Sequence, residues 1–358
     1  MPRKSEKGLK PKELKETMIY QKGKNKKVKC GICGQSCELN EGQKGFCGTR
    51  ENINGRLYSL VYGKAIDVAV DPIEKKPFFH FAPGSRALSV ATLGCNLGCL
   101  FCQNWQISQE FDRIEGEPYS PKDLVKKAKE WKCQGIAYTY TEPAVFYEYV
   151  YETAKEAETK FYNVLVTNGY FTPESIKRIS NFIDAANVDL KGDYIFYKKY
   201  CFGKKGDEPV KETLKALQKN KIWIEITNLL IPNLNDKEAD VRIMCKWIIE
   251  NLGDEVPLHF SRFYPTYKMK NVPPTPVETL EKAREIAREE GLKYVYIGNV
   301  PGHRYENTFC QECGNILIKR FGFSVQEFNL DKNLRCVKCG KKLPMAGEKW
   351  IDKRLFKE

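Results

Sequence analysis

The chain has 358 residues, with 59 Lys and Arg against 46 Asp and Glu for a net charge of +13, and it is 42% hydrophobic and 12% aromatic. This composition argues against a disordered chain, and no apolar run approaches the roughly 18 residues of a membrane span. The length suits one large domain with additions, or two domains.

The first 29 residues hold eleven Lys or Arg against Glu6, Glu13 and Glu16, which is +8 of the surplus. A like-charge block of this kind reads as a basic flexible tail at 1–29. Met1-Pro2-Arg3-Lys4 leads into further lysines rather than an apolar segment, so a cytoplasmic location is expected. Thiols stay reduced there, so fourteen cysteines in tight groups point to metal or redox chemistry instead of disulfides. Cys30, Cys33, Cys37 and Cys47 form the first group, within a module and lead-in expected at 30–85. Its irregular spacing suits zinc or an auxiliary iron-sulfur cluster, which spacing alone does not separate.

From 86 to 305, β-rich apolar runs alternate with amphipathic charged runs. Strands are expected at 88–93, 135–141, 161–167, 183–190, 221–230, 257–263 and 294–298. Helices are expected at 121–132, with Ser120 as N-cap, and at 144–158, 172–181, 211–218, 239–251 and 276–290. Six or seven β-then-α units require a parallel sheet, so the fold class is α/β. A full eight-unit barrel needs about 250 residues, so an incomplete (βα)6-type parallel barrel fits better, with chemistry at the carboxyl ends of its strands. Cys310, Cys313, Cys336 and Cys339 then form two Cys-x2-Cys-Gly knuckles in a module at 306–345, followed by a tail at 346–358. Paired knuckles place four thiolates around one tetrahedral metal, read as zinc, with mononuclear iron or an auxiliary cluster as the alternative. Cys133, Cys201 and Cys245 stand alone and read as small buried hydrophobes.

Directly after the first barrel strand comes Gly94-Cys95-Asn96-Leu97-Gly98-Cys99-Leu100-Phe101-Cys102. Three thiolates in a Cys-x3-Cys-x2-Cys loop can each hold one iron of a cubane cluster and leave the fourth iron open. This loop resembles the signature of the radical S-adenosylmethionine (SAM) superfamily. The resemblance implies a 4Fe-4S cluster on Cys95, Cys99 and Cys102, with SAM on the unique iron and Phe101 beside it. It implies reductive cleavage of SAM to a 5′-deoxyadenosyl radical that abstracts hydrogen from a substrate.

Later strand ends are similar to the pyruvate formate-lyase activating enzyme branch. Thr139-Tyr140-Thr141-Glu142-Pro143 stands where that branch has Gly-Gly-Glu-Pro, which implies SAM-ammonium contacts for Thr139, Thr141 and Glu142. Asp189-Leu190-Lys191 matches its Asp-x-Lys pair. Val166-Thr167-Asn168-Gly169 matches its Asp-Thr-Asn-Gly strand end, which implicates Thr167 and Asn168, but Val166 replaces the aspartate. His259 and Arg262, at the sixth strand's end, are expected to meet SAM or substrate.

Asp71-Pro72-Ile73-Glu74-Lys75-Lys76-Pro77, Cys102-Gln103-Asn104, Ile231-Pro232-Asn233-Leu234-Asn235-Asp236 and His259-Phe260-Ser261-Arg262-Phe263 narrow the resemblance. With both flanking cysteine groups, they resemble the radical SAM member of the AmmeMemoRadiSam system. That implies Memo-like and AMMECR-type proteins as partners, while the basic start suits an acidic electron donor such as ferredoxin or flavodoxin. Glycyl radical enzyme activation is the alternative activity. A zinc-knuckle RNA-binding protein is the reading from another class, but it leaves the strand-end cysteines, Glu142 and the Asp189 and Lys191 pair without a purpose, so nucleic acid is not the expected partner.

Overall fold

The structure is a computed structural model that describes residues 14–356. Its centre is one eight-stranded mixed sheet: β1 (Asp67–Pro72), β2 (Arg86–Ala91), β3 (Gly135–Tyr138), β4 (Tyr162–Thr167), β5 (Ala185–Asp189), β6 (Trp223–Leu230), β7 (Leu258–Arg262) and β8 (Val295–Gly298). Neighbours in the sheet are neighbours in the chain. From β2 to β8 all pairings are parallel, and β1 runs antiparallel on the edge against β2. β1 belongs to this sheet although it was expected within the 30–85 lead-in.

Helices α1 (Pro121–Glu130), α2 (Tyr147–Ala157), α3 (Pro173–Ile179), α4 (Tyr194–Tyr200), α5 (Glu208–Lys219), α6 (Glu238–Leu252) and α7 (Val277–Glu289) occupy the connections. Their starts follow local chemistry. Ser120 and Asp123 form a capping box with proline at the first helical position of α1, and Thr172 and Ser175 form another at α3. Among the described residues, no helix is long and apolar enough to cross a membrane.

The expected basic tail is corrected by the structure. Residues 1–13 lie outside the described residues, whereas from residue 14 the chain is woven into small antiparallel sheets. Lys15–Glu16 pairs with Arg56–Ser59, and Tyr20–Lys22 pairs with Val28–Cys30. Lys29 is exposed between buried Val28 and Cys30, Ile19 is buried, and Lys24, Lys26 and Lys27 stand exposed in the turn, so the charge block is the outer edge and tip of a hairpin. Residues 346–356 of the expected tail are likewise docked: Trp350 packs its ring on Phe81 and Tyr162, and Ile351 is buried.

The amino end of the parallel strands is closed by the segment that follows β1. The backbone N–H groups of Phe79 and His80 donate to Glu225 on β6 at 2.9 and 2.7 Å, and Nε2 of His259 on β7 and the indole of Trp223 donate to it as well. Burial alone would raise the Glu225 pKa, but its donors, led by His259, outweigh burial and hold it below the ordinary range. His80 Nδ1 contacts the Pro344 carbonyl at 2.7 Å, so this nitrogen carries the proton and Nε2 accepts from the Tyr296 hydroxyl at 2.5 Å. Burial lowers the His80 pKa to about 4, which keeps this arrangement neutral. Arg320 donates to Thr308 Oγ1 and to the Phe79 carbonyl, tying the C-terminal module to the same floor.

Glu225→Gln leaves buried N–H donors facing an amide nitrogen, so it is expected to cost about 3 kcal/mol, read from the denaturant midpoint. The wild-type contribution is complete above the ordinary carboxylate range and is lost as pH falls through the lowered native value. The variant is expected to lack that acid limb.

Candidate active site and metal centres

The carboxyl ends of the parallel strands surround a cavity of about 780 Å3, within the range of ligand pockets. Cys95, Cys99, Cys102, Phe101, Thr139, Thr141, Glu142, Thr167, Asn168, Asp189, Lys191 and His259 all line it. Arg262 does not. Its Nε donates to the Thr275 carbonyl at 2.8 Å and its guanidinium lies over the Tyr264 ring. Successive strand residues alternate faces, so His259 and Ser261 point inward and Arg262, three positions from His259, points away. His259 lies at the base of the cavity, committed to Glu225.

The Gly94–Cys102 loop is held from two sides. Gly98 and Leu100 donate their N–H groups to the carbonyls of Cys201 and Tyr200 at the end of α4. Gly94 has φ +95°, and a Cβ there would lie 2.8 Å from the Cys47 carbonyl oxygen, so glycine is required. The triad sulfurs receive donors: Leu97 N–H and the Asn168 amide at Cys95, and a contact between Ser108 Oγ and Cys102 Sγ at 3.2 Å. Cys201, read from sequence as plain core, acts on the Cys99 thiol, and this influence, ahead of burial, lowers the Cys99 pKa. Nothing in the local sequence signals this influence, because it depends on where α4 ends.

Glu142 is buried and accepts from Thr167 Oγ1 at 2.7 Å, Asn168 N–H at 2.8 Å and Ala144 N–H at 3.1 Å. Burial nevertheless pushes its pKa up to about 7. Of the other carboxylates that line the cavity, Asp189 has Lys191 at 2.5 Å, while buried Glu74 and Glu306 accept from backbone N–H groups of Gly84, Gly302 and Gly322; Asp71, reached through Tyr140, has Lys75 and Lys76 at 2.7 and 2.8 Å. Glu142 has no ion pair among the described residues and lies on the same cavity as the three thiols, so its environment suits a cationic group of a ligand. Burial disfavours charge on Lys191, but Asp189 and then Cys99 outweigh it and hold its pKa well above the usual lysine range. Tyr197 fixes this pair's backbone by donating to the Asp189 carbonyl and accepting from Lys191 N–H.

Tyr140, where glycine was the expected pattern, adopts φ +64°. Left-handed backbone at a tyrosine is strained. It is held by the hydroxyl's bond to Asp71 and by the Asn104 amide on its carbonyl. Lys76, buried and lying 4.1 Å from the Tyr140 ring centroid, is lowered to about 8, by burial first. The sequence reading named none of Asp71, Lys76, Tyr140 or Ser108 as site residues.

Cys310, Cys313, Cys336 and Cys339 place their sulfurs within 4.8 Å of one another, with contacts of 3.5 Å for Cys310–Cys339 and 3.7 Å for Cys313–Cys336. Four sulfurs each about 2.3 Å from one ion stand roughly 3.8 Å apart, so this is the geometry of a mononuclear metal site. The hairpin it supports, Ile316–Phe321 with Ser324–Phe328, sends Gly322 and Phe323 to the cavity wall. Cys30, Cys33, Cys37 and Cys47 line a second, smaller cavity behind the triad loop.

The Radical SAM superfamily model matches residues 89–243. The uncharacterized protein MJ0808 of Methanocaldococcus jannaschii is 51% identical over 336 residues, which is 93% of this chain and 100% of that protein. The pyruvate formate-lyase-activating enzyme of Clostridium pasteurianum is 21% identical over 229 residues, covering 59% of this chain and 91% of that enzyme. A radical SAM methyltransferase from Sphaerobacter thermophilus superposes with a TM-score of 0.48 at 17% identity, over 61% of this chain and 67% of that one.

Cys313→Ser is expected to remove about one metal equivalent per chain, measured by plasma mass spectrometry, and to make residues 308–343 protease-sensitive. A full metal complement in this variant would contradict a site built from these thiols.

Proposed function

Because this chain is a radical SAM enzyme and belongs to the family of MJ0808, we propose that Cys95, Cys99 and Cys102 hold a 4Fe-4S cluster and that SAM occupies the adjoining cavity. When bound, this pair supplies one-electron reductive cleavage of SAM and hydrogen abstraction from a substrate. The observation that carries the reading is the convergence of three thiols and an unpaired buried carboxylate, Glu142, on one cavity.

Each residue of this chain has a role within that reading. Glu142, fixed by Thr167 and Asn168, takes the SAM ammonium group, with Thr139 and Thr141 at the same strand end. Asp189 and Lys191 form a polar pair beside the ligand, and Phe101 closes its side of the loop. The remaining space of the cavity is for substrate, a small molecule or a residue of a protein. The strand order and the bridge from Phe79 and His80 to Tyr296 support reading the sheet as a partial barrel.

The narrower family is the radical SAM member of the AmmeMemoRadiSam system, supported by the motifs between Asp71 and Phe263, with Memo-like and AMMECR-type proteins as partners and zinc at the C-terminal site. An acidic electron donor such as ferredoxin or flavodoxin, in a reducing cytoplasm, is supported by the +8 surplus of the first 29 residues. A glycyl radical enzyme activase is the second reading, favoured by the match to 91% of the activating enzyme's length. Deuterium transfer into 5′-deoxyadenosine from a labelled metabolite or from a labelled protein separates the two.

Anaerobically reconstituted protein with dithionite and SAM is expected to yield 5′-deoxyadenosine, and Cys99→Ala is expected to yield none; activity retained in that variant sinks the reading. A second measurement concerns pH. Between the ordinary carboxylate range and about 7, the ligand-free native state holds an extra proton on Glu142, so this group's stabilising contribution is lost as pH rises through that window. An ammonium ligand needs the ionised form, so SAM affinity is expected to fall as pH drops below about 7, by up to about tenfold per unit. Glu142→Gln is expected to bind SAM weakly and without this slope.

A further inference from the structure

The triad loop also reaches the surface away from the cavity lining. Gly98, between Cys95 and Cys99, is partly exposed, and two aromatic rings flank it: a Cβ there would stand 3.1 Å from the Phe202 ring and 3.5 Å from the Phe46 ring. Both rings are half in water, Phe202 at 49% and Phe46 at 48% exposure. Phe46 comes from the N-terminal cysteine module and Phe202 from the turn after α4, so two segments distant in the chain are brought to one backbone position. Neighbouring exposed apolar groups with a polar rim mark a surface that receives a partner.

The rim is cationic. Lys198 and Lys199 in α4 and Lys204 and Lys205 after it are all exposed, against Asp193 and Glu208 as the exposed acids of the same stretch, while buried Asp207 is paired with Lys211 at 2.6 Å. Lys198 Nζ donates to the Lys204 carbonyl at 3.0 Å, which holds the two lysine pairs together. Gln35 ties them to the triad loop: its amide donates to the carbonyls of Asn96 and Phe202 at 2.8 and 3.0 Å, and its Oε1 accepts from Lys204 N–H at 3.2 Å. Exposed Lys268 adjoins the loop as well, its N–H donating to the Leu100 carbonyl at 3.0 Å.

We propose that Phe46 and Phe202, rimmed by Lys198, Lys199, Lys204 and Lys205, form the docking surface for a small acidic one-electron carrier protein that reduces the centre held by the triad. This rests on the reading of Cys95, Cys99 and Cys102 as cluster ligands. With SAM and substrate in the cavity, the electron has to arrive through another face, and Gly98 is where the loop backbone meets solvent next to Cys99. The carrier gives up one electron and the cluster gains it; no bond is made or broken. The rings supply close contact at the centre of the interface, and the lysines attract and orient a partner of opposite charge.

The test uses the full chain, reconstituted anaerobically, with flavodoxin and a ferredoxin as probes. Binding of the oxidised carrier is measured by calorimetry at low and high salt, and 5′-deoxyadenosine formation is driven in parallel by the reduced carrier and by dithionite. Lys204→Glu/Lys205→Glu is expected to weaken carrier binding and the carrier-driven rate by about tenfold and to flatten their salt dependence. The dithionite-driven rate, which needs no docking, is expected to stay at the wild-type value. Phe46→Ala is expected to weaken carrier binding and leave its salt dependence intact. Wild-type binding and carrier-driven rate in the charge-reversed variant overturn the proposal, as does a wild type that binds neither carrier. An equal loss from Lys24→Glu/Lys27→Glu, at the tip of the N-terminal hairpin, also overturns it, because net charge would then account for the effect. Carrier binding that depends on Lys204 and Lys205, with no 5′-deoxyadenosine from dithionite, overturns the SAM reading and leaves the docking surface standing.

Discussion

A carboxylate removed from water inside a sheet must be met by donors from every side, and Glu225 imposes that demand on the rest of the molecule. Its oxygens are satisfied by two backbone N–H groups from the segment after β1, by His259 and by Trp223. Residues 77–81 therefore cross the amino ends of the parallel strands, and β1 returns along the edge as the antiparallel strand that delivers them. The crossing carries His80 to Tyr296 and onward to Thr308 and Arg320. One charge thus sets the floor of the cavity and the attachment point of the C-terminal module.

Above that floor, the cavity is organised by which carboxylates have partners. Asp71 and Asp189 are neutralised by lysines on adjoining positions, and they brace the wall. Glu142 is held only by hydrogen-bond donors, in surroundings dry enough to raise its pKa to about 7. A buried carboxylate that accepts hydrogen bonds but has no ion pair favours a ligand that brings a cationic group. The triad loop lies within the same space, its sulfurs fixed by main-chain and side-chain donors, so ligand charge and thiol chemistry meet at one strand end.

Much of this was legible because parallel strands and crossover helices carry strong local patterns. The run Phe161 to Thr167 folds as Tyr162–Thr167, and Ser120 caps α1 as its side chain dictates. β1 was not legible: Asp67–Pro72 has no crossover helix before β2 and ends in proline, so it lacks the β-then-α rhythm. The lysine-rich start misleads because charge density hides alternation, with Lys29 exposed between buried Val28 and Cys30. Arg262 was misplaced by reading strand-end position without strand parity. Cys201 was invisible because its meeting with Cys99 joins residues far apart in the chain through the end of α4.

Phe323 and Gly322 reach the cavity from a hairpin stabilised by its own cysteine knuckles, outside the eight-stranded sheet. A wall supplied by a separately anchored element can change sequence without disturbing strand register or the triad loop. Among descendants of a common ancestor, this is where divergence in molecular preference costs the scaffold least. The hairpin tip between Phe321 and Ser324 is accordingly the natural place to look for lineage-specific diversification, while the strand ends stay under the constraint of shared chemistry.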